Sequence, residues 1–317
     1  MNTLKFTKKS ELSTEQHNQE VHKDKEIKIF DKKVNIYIPN NLSLFITNVC
    51  NSKCFFCINS NYTNQDKSDS FYYKSLKETL NELSPSEFEI TITGGEPTIK
   101  IERFVKTLKM CHDYGFRFRT ISTNGLNLLK KYKGKEVCEY MVENGAVHNI
   151  SISRMDINNN KEIMGIDSIT DNDIEKLANF FNNHDAEMRI SCNLINGYVD
   201  SMDKILEFVD YYHNLGVPTV MFRELVGVKS SPKMIDTFKP NKEFKLIDYI
   251  VAEVYDVEVY EYKDYIVKHY KQKKNNNKTS VKNTSFRNGI LREDFNGNII
   301  KNFKEKLIWK KLEQKEK

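Results

Sequence analysis

Three cysteines within eight residues constrain this chain more than anything else in it. Cys50, Cys54 and Cys57 stand in Cys-x3-Cys-x2-Cys spacing, just after a short apolar run, Leu42–Ile46. The run reads as a buried strand and breaks at Thr47-Asn48, which puts the cysteines on a loop at a strand end. Thiolates so close together can converge on one iron–sulfur cluster, because such clusters are held by cysteine sulfur. Three thiolates leave one iron of a four-iron cluster without a protein ligand. An open position on a metal is where a small molecule binds and reacts. The competing reading is a structural zinc loop. Structural zinc sites close with four Cys or His ligands, and none of the seven histidines lies within the loop.

The chain has 317 residues, 39% apolar and 29% charged, enough for one large domain, or a domain plus a cap, with a sizeable core. No apolar run approaches the roughly 18 residues of a membrane span, so no membrane partner is expected. The polar stretch Met1–Lys25 reads as a tail without the apolar core of a signal peptide, and a cytoplasmic location is the expectation. A net charge of +5 permits an acidic partner or a phosphate-bearing substrate but does not argue for one, and a lysine-rich solvated surface more often explains such a balance. Six cysteines in a reducing compartment suggest metal or redox chemistry rather than disulfides. Cys111, Cys138 and Cys192 lie singly in two helical patterns and a strand, and read as buried thiols. No second Cys-x2-Cys follows, so no auxiliary cluster is expected.

Residues 1–40 are expected to form the tail and a β-hairpin, Glu26–Ile38, that leads into the core. Residues 41–228 alternate strand and helix. Strands are expected at Leu42–Thr47, Phe88–Thr93, Phe116–Ser122, Val147–Ser153, Met188–Ile195 and Thr219–Phe222. Helices are expected near Tyr73–Leu83, Ile99–Tyr114, Leu126–Glu143, Asp171–Asn183 and Ser201–Leu215, the last with Ser201 as N-cap. Such βα units imply a parallel sheet. The fold class is α/β, a partial (β/α)6 TIM-like open barrel, with its site at the C-terminal ends of the strands. Residues 229–317 read as a small α/β C-terminal cap and substrate region. In it Lys229–Pro240 is a loop, Phe244–Tyr255 a helix, Val257–Tyr262 a strand and Lys304–Leu312 a last helix. Asn288-Gly289 and Asn296-Gly297 mark turns of a β-meander. The basic, asparagine-rich stretch Lys268–Lys282 reads as a solvated loop or as a phosphate-contacting arm.

The other motifs fall at strand ends. Gly94-Gly95-Glu96-Pro97 directly follows the second strand. Two glycines let a backbone approach a ligand closely, Glu96 adds a carboxylate, and Pro97 stiffens the exit. Ser122-Thr123-Asn124-Gly125 ends the third strand. Ser151 and Ser153 share one face of the fourth strand, Arg189 and Ser191 one face of the fifth, while Cys192 and Leu194 share the other. A fully buried parallel strand should be nearly all apolar. Polar residues recurring on consecutive strands therefore point to a shared ligand.

With these residues in place, Asn41–Gly227 resembles the radical S-adenosylmethionine (SAM) superfamily, and within it the branch of the molybdenum-cofactor GTP 3′,8-cyclase and viperin. The resemblance implies that Cys50, Cys54 and Cys57 hold a [4Fe–4S] cluster whose open iron takes the amino and carboxylate groups of SAM. It implies that Phe56 lies by the adenine, that Gly94, Gly95 and Glu96 receive the methionine end, and that Ser151 contacts SAM. Leu194 and Leu225 would approach the adenine, and Thr123 and Arg189 match positions the cyclase uses for its nucleotide. The departures are equally specific. The cyclase carries arginines where Ser43 and Thr91 stand, a C-terminal cysteine triplet absent here, and a terminal Gly-Gly where this chain ends EQKEK. GTP cyclisation is therefore not expected. Arg154-Met155-Asp156 and Phe222-Arg223-Glu224 match neither pattern and are candidates for substrate contact, with a rim pair between Arg223 and Glu224 as the bland alternative.

The expected activity is reductive cleavage of SAM to a 5′-deoxyadenosyl radical, with hydrogen abstraction from a small-molecule, nucleotide or peptide substrate. The electron would come from a flavodoxin or ferredoxin. One alternative is a peptide-modifying enzyme of the epimerase type. Another is a non-catalytic iron–sulfur regulator or nucleic-acid-binding protein with Lys268–Lys282 as its arm, against which the Gly-Gly-Glu-Pro motif speaks.

Overall fold

A computed structural model of the chain describes residues 23–57, 59–60, 65–153, 157–166, 169–225, 238–251, 255–272, 281–293 and 297–304. In chain order, β1 (Lys23–Ile29) and β2 (Lys32–Phe45) form an antiparallel hairpin, followed by helix α1 (Asp69–Glu82), β3 (Phe88–Thr93), a 3-10 turn over Pro97–Lys100, and α2 (Ile101–Asp113). Then come β4 (Arg117–Thr123), a minimal hairpin of β5 (Lys131–Tyr132) and β6 (Lys135–Glu136), α3 (Val137–Glu143), β7 (His148–Ser151) and α4 (Ile157–Met164). Next are α5 (Asp171–Asn183), β8 (Met188–Leu194), α6 (Met202–Asn214) and β9 (Thr219–Glu224). The chain continues through β10 (Phe244–Val251), β11 (Tyr255–Tyr262), β12 (Tyr265–Gln272), β13 (Val281–Arg287), β14 (Ile290–Arg292) and β15 (Ile299–Asn302).

Strands β2, β3, β4, β7, β8 and β9 pair in that order, all parallel, as alternating βα units require. Each strand divides its residues between two faces. Phe88, Ile90 and Ile92 of β3 are wholly buried against the helices, whereas Glu89, Thr91 and Thr93 are half-buried on the opposite, interior face. The helices supply matching stripes. In α5, Ile174, Leu177, Ala178 and Phe181 recur at the 3.6-residue period and are fully buried, and the Thr170 hydroxyl caps the helix by accepting from the Asp173 N–H at 3.2 Å. Each large apolar side chain so buried contributes about 1.5–3 kcal/mol. Ser201 caps α6 in the same way.

Several segments depart from expectation. The hairpin strand does not stop before the core: β2 runs unbroken from Lys32 into the apolar run that ends at Phe45. The helix expected over Leu126–Glu143 is only α3, because Lys133 and Gly134, both at positive φ, turn the chain between β5 and β6. The helix expected over Phe244–Tyr255 is strand β10. A bulge between Leu246 and Asp248 breaks its two-residue alternation and leaves a spacing that mimics a helix.

The region after Gly227 supplies strands to the same sheet. β12 pairs in parallel with β9, and β13 pairs in parallel with β2, so the six βα strands are flanked on both sides. Lys268–Gln272, expected within a loop, belongs to β12. The helix expected at Lys304–Leu312, all but the first residue of it, lies outside the described residues, as do Arg154-Met155-Asp156 and residues 273–280.

Candidate active site

The cysteine loop leaves β2 at Ile46 and is held on several sides. The Arg103 guanidinium of α2, 2% exposed, donates to the Ile46 carbonyl at 3.0 Å, the Lys67 carbonyl at 2.8 Å and the Asp69 carboxylate at 2.6 Å. Asp66 takes the Asn48 N–H at 2.8 Å and the Thr47 hydroxyl, and pairs with Lys100 at 3.0 Å. The Lys53 N–H donates to the Met164 carbonyl at the end of α4, at 2.7 Å. From the end of β4, the Asn124 amide donates to Asn51 at 2.8 Å and to the Ser52 hydroxyl at 3.2 Å.

The tightest junction joins the loop to Gly94-Gly95-Glu96. The Gly95 N–H donates to the Thr47 carbonyl at 2.8 Å, and the Glu96 N–H to the Val49 carbonyl at 2.9 Å. A Cβ on Gly94 would stand 2.5 Å from the Thr47 oxygen, and one on Gly95 2.1 Å from the Val49 oxygen. The paired glycines thus admit the backbone of the cysteine loop, where the sequence suggested close approach to a ligand. The Asn59 amide donates to the Gly94 carbonyl at 2.8 Å, and Arg287 of β13 donates to Asn59 at 2.6 Å while lying 3.6 Å from the Phe45 ring centroid.

Glu96 is held by the protein itself. Its carboxylate is 2% exposed and accepts four hydrogen bonds. These come from the Thr98 N–H at 3.0 Å, the Thr98 hydroxyl at 2.6 Å, the Thr123 hydroxyl at 2.7 Å and the Asn124 N–H at 2.7 Å. Burial raises the Glu96 carboxyl above its ordinary range, against the pull of those bonds. Three of these bonds end on Oε1 and only that of the Asn124 N–H on Oε2, so Oε2 keeps acceptor capacity. Glu96 locks the motif to the end of β4, and Thr123, expected at a nucleotide, is one of the donors that hold it.

Cys50 is exposed, Cys54 and Cys57 are half-buried, and all three are free thiols. Burial pushes the Cys54 thiol up to about 12, with Cys57 and Cys50 adding to the rise. Among the described residues no three His, Cys, Asp or Glu side chains converge on a single metal ion. A cubane asks for less convergence, since each thiolate binds a different iron. The donor set fits a cluster: three thiols on one loop, fixed by its backbone, with no disulfide.

Beside the loop, Ile163, Met164, Ile195 and Leu225 form a small apolar cluster with Cys54, Phe56, Ile166 and Tyr198 packed against it. Phe56 and Leu225, expected by the adenine, both belong here. Leu194 does not: it is 1% exposed in the main core behind the sheet. Its neighbour Ile195 occupies the apolar site, a one-residue error that moves a side chain to the other face of a strand. Ile163 and Ile195 carried no sequence signal beyond being apolar.

Ser122, Ser151 and Ser191 line the interior face, with Ser151 and Ser191 paired in register, and among the described residues their hydroxyls make no hydrogen bond. Ser153 is 2% exposed and tied down, its N–H donating to Asn160 at 3.3 Å and its hydroxyl accepting from the Asn193 N–H at 3.4 Å. Arg189 also faces the interior but is engaged. It donates to both oxygens of Glu187 at 2.6 and 2.5 Å, and Lys268 joins the same carboxylate at 3.1 Å. Against the upward pull of burial, the hydrogen bonds and charges of Arg189 and Lys268 hold Glu187 at about 2. Arg189, expected at the cofactor, is thus engaged by Glu187 on the protein side.

These features are those of a SAM-dependent radical site, and the chain belongs to the radical SAM superfamily: the sequence profile of that superfamily matches residues 44–236. The chain is an enzyme of this class, whose cofactors are a [4Fe–4S] cluster and SAM. It is 26% identical over 231 residues to a probable GTP 3′,8-cyclase of Sulfurisphaera tokodaii, covering 68% of this chain and 64% of that protein. It is 27% identical over 138 residues to the GTP 3′,8-cyclase of Pasteurella multocida, covering 41% and 38%. The matched region thus spans less than two thirds of each of these relatives. Among solved structures, Streptococcus suis SuiB bound to S-adenosylmethionine superposes with a TM-score of 0.48 at 22% identity, over 64% of this chain and 44% of SuiB.

Proposed function

We propose that the chain cleaves SAM reductively and directs the resulting radical at a C–H bond of a substrate held inside the strand barrel. The observation that carries this reading is the docking of Gly95 and Glu96 on the Thr47 and Val49 carbonyls, which puts the cysteine loop and the methionine-receiving motif in one fixed register. When bound, cluster and SAM together supply the 5′-deoxyadenosyl radical. Cys50, Cys54 and Cys57 would hold the cluster. The backbone of Gly94 and Gly95 would meet the methionine end, Phe56, Ile195 and Leu225 the adenine, and the Ser151 and Ser191 hydroxyls the polar parts of SAM. The apolar cluster beside Cys54 keeps water from the reacting atoms.

The substrate of this chain is not GTP in this reading. Where the cyclase carries arginines, Ser43 is 1% exposed and accepts from Asn41 at 3.1 Å, and Thr91 donates to Asn41 at 2.6 Å. Asn41 also donates to Asn283 of β13 at 2.9 Å, so neutral groups close that part of the interior. A flavodoxin or ferredoxin would supply the electron, in the cytoplasm. Among the described residues no helix is long and apolar enough to cross a membrane. The test is anaerobic incubation of cluster-reconstituted protein with dithionite and SAM. 5′-Deoxyadenosine and methionine are the expected products, and S-adenosylhomocysteine without deoxyadenosine would contradict the proposal.

A further inference from the structure

Arg223 lies on the interior face of β9, opposite the face on which Phe222 packs against Phe208 of α6. Leu225, two residues on and in the same direction, reaches the apolar cluster at Phe56 and Cys54. Arg223 is therefore only about 7 Å along the strand from the groups beside the cysteine loop. Its guanidinium stands over the ring of Tyr270, 4.8 Å from the centroid, on the neighbouring parallel strand β12.

Among the described residues this guanidinium makes no hydrogen bond and no ion pair, and its Nε is buried without a partner. The expected rim pair with Glu224 does not form, because Glu224 projects to the other face and lies 3.6 Å from His269. The surroundings add positive charge. Arg189 and Lys268, both on the interior face, share the single carboxylate of Glu187, which leaves one cation in excess before Arg223 is counted. On the same face the Asn149 side chain, 2% exposed, turns a buried amide oxygen to no partner. A buried Nε–H without an acceptor and a buried amide oxygen without a donor are costly unless a ligand satisfies them.

We propose that Arg223, held over the Tyr270 ring, is the seat for an oxyanion of the substrate, a phosphate or a carboxylate, and that Asn149 accepts a hydrogen bond from the same molecule. A guanidinium placed over an aromatic ring carries a planar fork of donors, the group that bidentate oxyanion binding uses. β12 lies outside residues 44–236, so the wall that sets substrate charge comes from the part of the chain beyond the family-matching region. The proposal rests on the radical SAM reading only for the fate of the bound molecule.

The test is calorimetric titration of the reconstituted, SAM-loaded full-length protein with inorganic pyrophosphate and, separately, succinate. Pyrophosphate represents a phosphate ester and succinate a carboxylate, and the tighter binder names the source. Binding of at least one at low-millimolar concentration is expected, weakened at least about tenfold by Arg223→Gln. Arg223→Lys keeps the charge and loses the fork, so it should fall between, and it replaces the Gln variant should that protein not fold. Arg117→Gln removes an exposed arginine paired with Glu89 and should change nothing. Binding of neither anion by the wild type, an unchanged affinity in the Arg223 variants, or an equal loss in Arg117→Gln would overturn the proposal. So would a parallel fall in SAM affinity, which would make Arg223 a cofactor contact. Iron content and SAM binding are read on the same samples, so a protein without a cluster that still binds the anion through Arg223 would reject the radical SAM reading alone.

Discussion

The Glu96 amide donates to the Val49 carbonyl at 2.9 Å, and a Cβ on the preceding glycine would stand 2.1 Å from that same oxygen. This contact makes the cysteine loop and the glycine motif one structural unit. Gly95→Ala should therefore part them. Iron incorporation on reconstitution should fall well below one cluster per chain, with a lowered Tm. A variant that takes up iron normally would show that the two segments are not coupled.

Glu96→Gln keeps one acceptor oxygen but turns an amide N–H2 toward a donor among Thr98, Thr123 and Asn124. The loss of stability should be about 1–3 kcal/mol, the penalty for a buried donor left unsatisfied. SAM affinity should fall in step with it, because the side chain acts through the backbone it holds. Denaturant unfolding and SAM titration on the same variant decide this. Weakened SAM binding at unchanged stability would restore Glu96 to direct contact with the methionine amino group.

Much of this was legible from residue order. The cysteine spacing, the glycine motif one βα unit later and the alternation of Phe88–Thr93 all fall where the structure puts them, because local periodicity decides which face of a strand is buried. What residue order does not show is what a side chain meets. For Glu96 and Arg189, charged residues near a site, sequence cannot show that protein groups already engage them, Thr98, Thr123 and Asn124 on the one and Glu187 on the other. The exchange of Leu194 for Ile195 is a one-residue slip at a strand end. β12 and β13 were unreadable as barrel neighbours, since joining β9 and β2 is a long-range pairing with no local signature.

His148 is fully buried, its ring centroid 3.7 Å from that of Phe181, and burial, with the charge of Arg189 adding, holds it down at about 3. The unfolded chain would protonate it near 6.5, so below that pH the unfolded state binds the extra proton and gains on the folded one. Its share of stability is complete above pH 6.5 and is lost progressively toward pH 3, reaching about 3 kcal/mol by pH 4. Urea unfolding across this range should show the decline, and His148→Leu should flatten it. An unchanged slope in the variant would assign the acid sensitivity elsewhere.

Arg103 supports the start of the cysteine loop from beneath. Arg103→Met should strand the Ile46 and Lys67 carbonyls and cost about 2–4 kcal/mol. Arg103→Lys should recover only part of this, since a single ammonium cannot span both carbonyls and Asp69. Chemical unfolding of the two variants gives the ordering, and equal stability for both would mean that the fork geometry is immaterial.

If Cys50, Cys54 and Cys57 together carry one cluster that cleaves SAM, iron content and product analysis on the same samples should agree. Anaerobically reconstituted wild-type protein should hold about four irons per chain and, reduced with dithionite, should convert SAM to 5′-deoxyadenosine and methionine. The variant with all three cysteines replaced by Ala should hold no cluster and form neither product. Iron retained by that variant, or a reduced, iron-loaded wild type that leaves SAM intact, would contradict the account.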